Sequence, residues 1–285
     1  MAVTTGQDFQ VRRMPNRYHN EIIPPASDKV LVMPQQNQAG KDIGREFMEK
    51  TKYRFIGTPD QEKGLVQPPL ELFPDPEKPF FNLPEPGKIS VPLVGLRTAM
   101  ERRQSIRTYA REPLSIEELS FLLWCTQGVK RVEGTYATFR TVPSAGARHA
   151  FETFLLVNDV AELSRGLYRY LALSHRLQQV SMDPTLAIEI TGACFNQDFI
   201  LRSGVVFLWT AVPYRMTWRY GERGYRDLHL DAGHVCQNLY LAAEAIGCGV
   251  CAIAAFDDDV MASLLGIDGT DQFLIYLATV GKKNR

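Results

Sequence analysis

The sequence predicts an α+β protein whose mostly antiparallel sheet is flanked by helices. Six runs rich in β-branched and aromatic residues recur between 151 and 280. Helical stretches separate some of them, without the regular strand–helix alternation of a parallel sheet. One long helical stretch carries apolar residues at steps of four and three.

In chain order, residues 1–90 form a Pro-rich N-terminal arm and 91–285 the main domain. Eight prolines fall between 59 and 86, so long regular elements are excluded there. Leu70, Leu72, Phe73, Phe80 and Phe81 nonetheless give the arm apolar surface to dock. One short helix is expected near 40–50. The rest of the arm is expected to wrap the domain.

A short helix follows over 93–103, then an extended stretch to Pro113. Ser115-Ile116-Glu117-Glu118 is a capping box, so a helix starts there and buries Leu119, Leu122, Leu123 and Cys125. Residues 128–142 are polar and contain Gly, and read as a loop. Strands are predicted at 151–157, 167–171 and 176–180 (the last two a hairpin), 205–212, 250–254 and 273–280. Two helical pieces occupy 184–202, and a helix with a mobile loop 213–223. The long helix spans 225–246 and stops at Gly247. Leu228, Ala232, Val235, Leu239, Ala242 and Ile246 form its seam, which suits a subunit interface or ordinary core burial. Asp257 caps a helix over 258–265.

Zero formal net charge argues against nucleic acid or an anionic membrane as a main partner. No run is long and apolar enough to span a bilayer, so a cytoplasmic protein is expected. The five scattered cysteines do not resemble a disulfide framework. Cys248-Gly-Val-Cys251 lacks a second pair and a nearby His, and reads as buried thiols rather than a metal site. Dinucleotide, P-loop, nucleophile-elbow and zincin motifs are absent.

Two stretches can carry chemistry. In Arg103-x-Ser105-x-Arg107 an extended backbone puts two guanidinium groups and a hydroxyl on one face, which suits phosphate or describes a solvated basic turn. In Pro143-Ser144-Ala145-Gly146-Ala147-Arg148-His149, Gly146 permits close backbone approach to a ligand. His149 is either a proton-transfer group or a packing residue.

These motifs, with Gly233-His234-x-x-Gln237-Asn238, Gly247-Cys248-Gly249 and Lys283-x-Arg285, occur in the order of the FMN-dependent nitroreductase family, which the chain resembles over about 93–285. The loop at 143–149 and Tyr18-His19 look most like its azoline-dehydrogenase-like (SagB-type) branch. The resemblance implies an α+β sandwich, homodimeric, with shared FMN sites at the interface. It implies that Arg103, Gln104, Ser105 and Arg107 hold the phosphate, ribityl chain and pyrimidine side. Pro143, Ser144, Ala145 and Gly146 would reach the FMN of the other subunit. Ala254 and Ala255 would present backbone beside the flavin ring, and Lys283 and Arg285 would contact the phosphate. No catalytic side chain is singled out. Ala252-Ile253-Ala254-Ala255 replaces the usual Pro-x-Glu-Gly, and Ala147 replaces a common Asn. The implied activity is hydride transfer between NAD(P)H and a nitroaromatic, quinone or enone. The alternatives are azoline dehydrogenation in modified peptides with return of electrons to oxygen, flavin binding without turnover, and a non-flavin interaction domain.

Overall fold

In a computed structural model, residues 42–284 are described. Tyr18, His19 and Arg285 lie outside the described residues. Residues from Arg45 onward belong to one compact unit. Its centre is a seven-stranded sheet, with every neighbouring pair antiparallel. The strands are β1 (Phe80–Asn82), β4 (Phe151–Val157), β5 (Gly166–Leu171), β6 (Arg176–Ser181), β7 (Val205–Ala211), β8 (Cys248–Ile253) and β9 (Phe273–Lys282), in the order β1-β6-β5-β4-β7-β9-β8. Two further strands, β2 (Val129–Glu133) and β3 (Ala137–Arg140), form a separate hairpin. That hairpin corrects the loop expected at 128–142. Its strands are short and charged, and most of β2 is exposed, so no apolar alternation announces it.

The helices are α1 (Ile43–Lys50), α2 (Leu96–Arg102), α3 (Ile116–Gln127), α4 (Leu186–Ala193), α5 (Phe199–Arg202), α6 (Tyr214–Tyr220), α7 (Gly224–Ala245) and α8 (Asp258–Leu265). The capping box of α3 forms: Ser115 Oγ accepts from the Glu118 amide at 3.2 Å, and the Glu118 carboxylate accepts from the Ser115 amide at 2.9 Å. Such a cap stabilises a helix by about 1 kcal/mol. Asp257 caps α8 through the Val260 amide. Instead of a mobile loop after α6, a short 3-10 turn at Gly221–Arg223 leads directly into α7.

Successive residues of β7 face opposite sides, and both sides are covered, so the whole strand is buried. Phe207 and Trp209 join the core under α3 and α7. Val206 and Leu208 join the core under α4 and α8. The apolar seam of α7 settles into the first of these cores: Leu228, Ala232, Val235, Leu239, Ala242 and Ile246 are all buried within the chain. A subunit interface is not what that periodicity encodes. Cys125, expected in the core, is only partly buried.

Residues 65–84 lie against the sheet and its helices. β1 pairs with β6. The Leu65 carbonyl accepts from Trp218 Nε1 at 3.0 Å, and the Pro69 carbonyl from Arg215 Nε at 2.8 Å. The Pro84 carbonyl accepts from Ser120 Oγ at 2.6 Å.

Candidate functional site

The basic segment begins where α2 ends, with Arg103 as its C-cap residue. From there the chain is extended alongside β8 and β9. The Ile106 amide donates to the Val250 carbonyl, and the Ala110 amide to the Lys282 carbonyl, both at 2.9 Å. Ile106 and Tyr109 turn inward onto glycines. A Cβ at Gly249 would lie 2.6 Å from Ile106 Cβ, and one at Gly281 2.7 Å from the Tyr109 ring. The Tyr109 hydroxyl donates to the Ile106 carbonyl at 2.7 Å, and burial raises its pKa. With those two side chains turned in, Gln104, Ser105 and Arg107 are exposed.

Ser105 Oγ lies 3.0 Å from the hydroxyl of Tyr240 on α7, which accepts from the Ala252 amide at 3.0 Å. The Arg103 guanidinium sits 5.3 Å from the Tyr240 ring centroid, and that of Arg107 6.0 Å from the Phe199 ring. Neither guanidinium pairs with a carboxylate among the described residues, whereas Lys282 is held by Glu118 and Lys283 by Glu244, the latter at 2.5 Å. Lys283 is therefore already neutralised, and an anion would have to compete with Glu244 for it. Tyr240 and Glu244 were invisible in the sequence as site residues. Their only signal is a position one and two turns beyond Gln237-Asn238 on the same helix.

Close contact at Gly249 makes a direct test. Gly249→Ala should destabilise the fold by roughly 1–3 kcal/mol, because the new methyl collides with Ile106. Adding Ile106→Gly, which removes the Cβ that the new methyl meets, should recover part of that loss in a denaturant melt. A single variant as stable as the parent would remove this contact from the account.

The second group is the loop at Pro143–Gly146. Ser144 Oγ accepts from the His149 amide at 2.9 Å, and the Ala145 amide donates to Asp231 Oδ1 on α7 at 3.2 Å. Gly146 has φ +57°, and a side chain there would run into the Tyr220 hydroxyl. Ala147 and His149 also adopt left-handed φ values of +54° and +43°. Such strain clusters at functional sites. His149 is buried, which pushes its imidazole down to about 3 and keeps it neutral, so it packs rather than moves protons near neutrality. Asp231 is also buried, its Oδ2 meets no donor among the described residues, and desolvation raises its pKa.

Asp231 and Tyr240 stand nine positions apart on α7, about 13 Å along its axis. The loop group and the basic group are thus fixed at separate points of one helix and do not converge within the chain. Ala254 and Ala255 follow β8 and are exposed; Gln197 Nε2 holds the Ala255 carbonyl at 3.2 Å. No cluster of metal-ligating residues and no helix able to cross a membrane occurs among the described residues.

The sequence profile of the nitroreductase family matches residues 100–282, which span both groups. The chain belongs to the nitroreductase family. MJ1384 of Methanocaldococcus jannaschii, named as a nitroreductase, is 34% identical over 67% of this chain and 92% of its own length. The trifolitoxin-processing protein TfxB of Rhizobium leguminosarum is 29% identical over 54% of this chain and 44% of its own. A nitroreductase-named structure from Anabaena variabilis superposes with a TM-score of 0.61 at 30% identity, covering 73% of this chain and 42% of that one. The Escherichia coli microcin synthetase complex McbBCD, solved with truncated pro-MccB17, gives 0.53 at 21% identity, covering 84% and 87%. This nitroreductase-family chain is therefore an oxidoreductase by family, and the branch suggested by its 143–149 loop includes peptide-processing relatives.

Proposed function

We propose that the chain is an FMN-dependent oxidoreductase, a cytoplasmic homodimer with shared sites, that transfers a hydride between NAD(P)H and a small nitroaromatic, quinone or enone acceptor. The observation that carries it is that Arg103 and Arg107, on either side of Ser105 in an extended stretch, meet no carboxylate among the described residues. That donor set fits a phosphomonoester: Arg forks bind its oxygens and the hydroxyl adds one bond. Lys283 would join only by exchanging Glu244 for the phosphate, and Arg285 follows it. When bound, FMN supplies two-electron hydride chemistry; the protein supplies orientation and electrostatics. Gln104 is exposed for the ribityl chain or pyrimidine side, and the Ala254–Ala255 backbone for the ring. The separation of the two groups on α7 supports a site completed by Pro143, Ser144, Ala145 and Gly146 of a second copy. The five unpaired cysteines suit a reducing compartment. In this scheme residues 1–90 act as the arm and 91–285 as the FMN domain.

Purified protein should be yellow and release FMN, identified by mass spectrometry. Charge-assisted hydrogen bonds contribute roughly 1.5–3 kcal/mol. Arg107→Ala, on an exposed side chain, should therefore raise the FMN dissociation constant at least about tenfold with an unchanged melt. Released FAD, or an unchanged constant, would count against the assignment.

The match to a trifolitoxin-processing protein favours one second function: azoline dehydrogenation in modified peptides. NAD(P)H consumption with a quinone supports the first function. Oxygen uptake driven by an azoline peptide, without NAD(P)H, supports the second.

A further inference from the structure

A groove of about 660 Å³ opens between the β2–β3 hairpin, the loop after Pro143 and α6. Its size is that of a small-molecule pocket. The walls are stitched together rather than merely adjacent. Gln67 Nε2 donates to the Thr135 and Tyr136 carbonyls at 2.9 and 3.0 Å. Arg148 donates through Nη2 to the Tyr136 carbonyl at 2.5 Å and through Nε to the Gly146 carbonyl at 3.1 Å. The Gln61 amide donates to the Trp218 carbonyl at 2.8 Å.

Tyr136, Phe139 and Trp218 line the groove; Tyr136 is 71% exposed, whereas Arg131 sits 4.3 Å over the Phe139 ring and Trp218 is 6% exposed. Arg148 and Arg219 line it with positive charge. Arg148 is only 6% exposed, and its guanidinium lies 5.6 Å from the Trp218 ring. Its pKa is lowered by burial and then by the charge of Arg219. No carboxylate pairs with either arginine among the described residues. Two cations without a carboxylate partner, beside the exposed Tyr136 ring, are complementary to a flat anion. Ring faces stack on an aromatic body, and an Arg fork takes a carboxylate in two parallel hydrogen bonds.

We propose that this groove binds an aromatic carboxylate, with Arg219 as the residue that selects its charge. Gly146 belongs both to the groove and to the loop assigned to the flavin. A place for the ligand beside the flavin therefore rests on the FMN assignment, while its binding does not. Isothermal titration of the full chain with 2-naphthoate and with its neutral analogue 2-naphthamide tests the charge selection. The carboxylate should bind about tenfold tighter, as one charge-assisted hydrogen bond implies. Arg219→Ala and Arg219→Gln should abolish that preference, and Arg219→Lys should restore part of it. Equal affinity for the two probes in the parent protein, or a preference that survives in both Arg219 variants, overturns the proposal. A colourless protein that still prefers 2-naphthoate would leave the groove standing and remove only the flavin assignment.

Discussion

Glu152→Ala is expected to cost about 3–5 kcal/mol of folding stability, the usual consequence of stranding a buried partner charge. Glu152 sits on β4 with its side chain 2% exposed, facing Arg215 at 2% and Arg169 at 10%. Its Oε1 accepts from Arg215 Nη2 at 2.6 Å and from the Leu72 amide at 2.9 Å. Its Oε2 accepts from Arg169 Nε at 3.1 Å. The same two arginines reach the arm's backbone, Arg215 at the Pro69 carbonyl and Arg169 at those of Leu72 and Phe73. Removing one carboxylate therefore strands two buried cations and loosens the arm together. Nearby Glu71 is half-buried, and its pKa is raised by desolvation and then by the charge of Glu152, so it is poorly placed to substitute. Guanidinium unfolding should show the full loss for alanine and a smaller one for Glu152→Gln, which keeps an acceptor. Limited proteolysis should cut the alanine variant faster near Leu72. A loss below about 1 kcal/mol would mean the arginines find other partners.

That clamp was not legible in the sequence, because its partners lie 17 to 146 residues apart and no local pattern links them. What was legible had local causes. The apolar run at 205–211 can only be a strand covered on both faces, and Ser115-x-x-Glu118 states where α3 starts. Gly247, at φ +69°, follows the end of α7 as expected. The hairpin at 129–140 carries no such signal, since Lys130, Arg131 and Glu133 break any apolar alternation. The candidate site divides in the same way. Arg103-x-Ser105-x-Arg107 advertised an exposed basic segment, whereas the sequence does not say that Arg103 lies by Tyr240 and Arg107 by Phe199. Tyr240, which joins Ser105 to β8, and Asp231, which holds the Ala145 amide, are set by the packing of α7 and become visible only in three dimensions.

Periodicity on α7 shows most clearly where sequence pattern stops, and Leu239 tests it. A 4-3-4-3-4 seam describes a helix facing another surface without saying whose surface it is. In the structure Leu239 is wholly buried, in one core with Leu119, Leu122 and Leu123 of α3. Leu239→Ala should then cost about 2–5 kcal/mol, transfer free energy plus the cavity left behind. Because the lost contacts lie within one chain, the shift in denaturation midpoint should be the same across a hundredfold range of protein concentration. A subunit seam behaves otherwise: its contribution follows mass action and fades on dilution. Leu230, on the same helix but 63% exposed, is the internal comparison. In an isolated chain Leu230→Ala should move stability by no more than about 0.5 kcal/mol. If Leu230→Ala instead lowers the midpoint in concentrated samples and not in dilute ones, while Leu239→Ala acts equally at every concentration, the two leucines separate the functions of the helix. The inner face holds the fold, and the outer face meets a second copy.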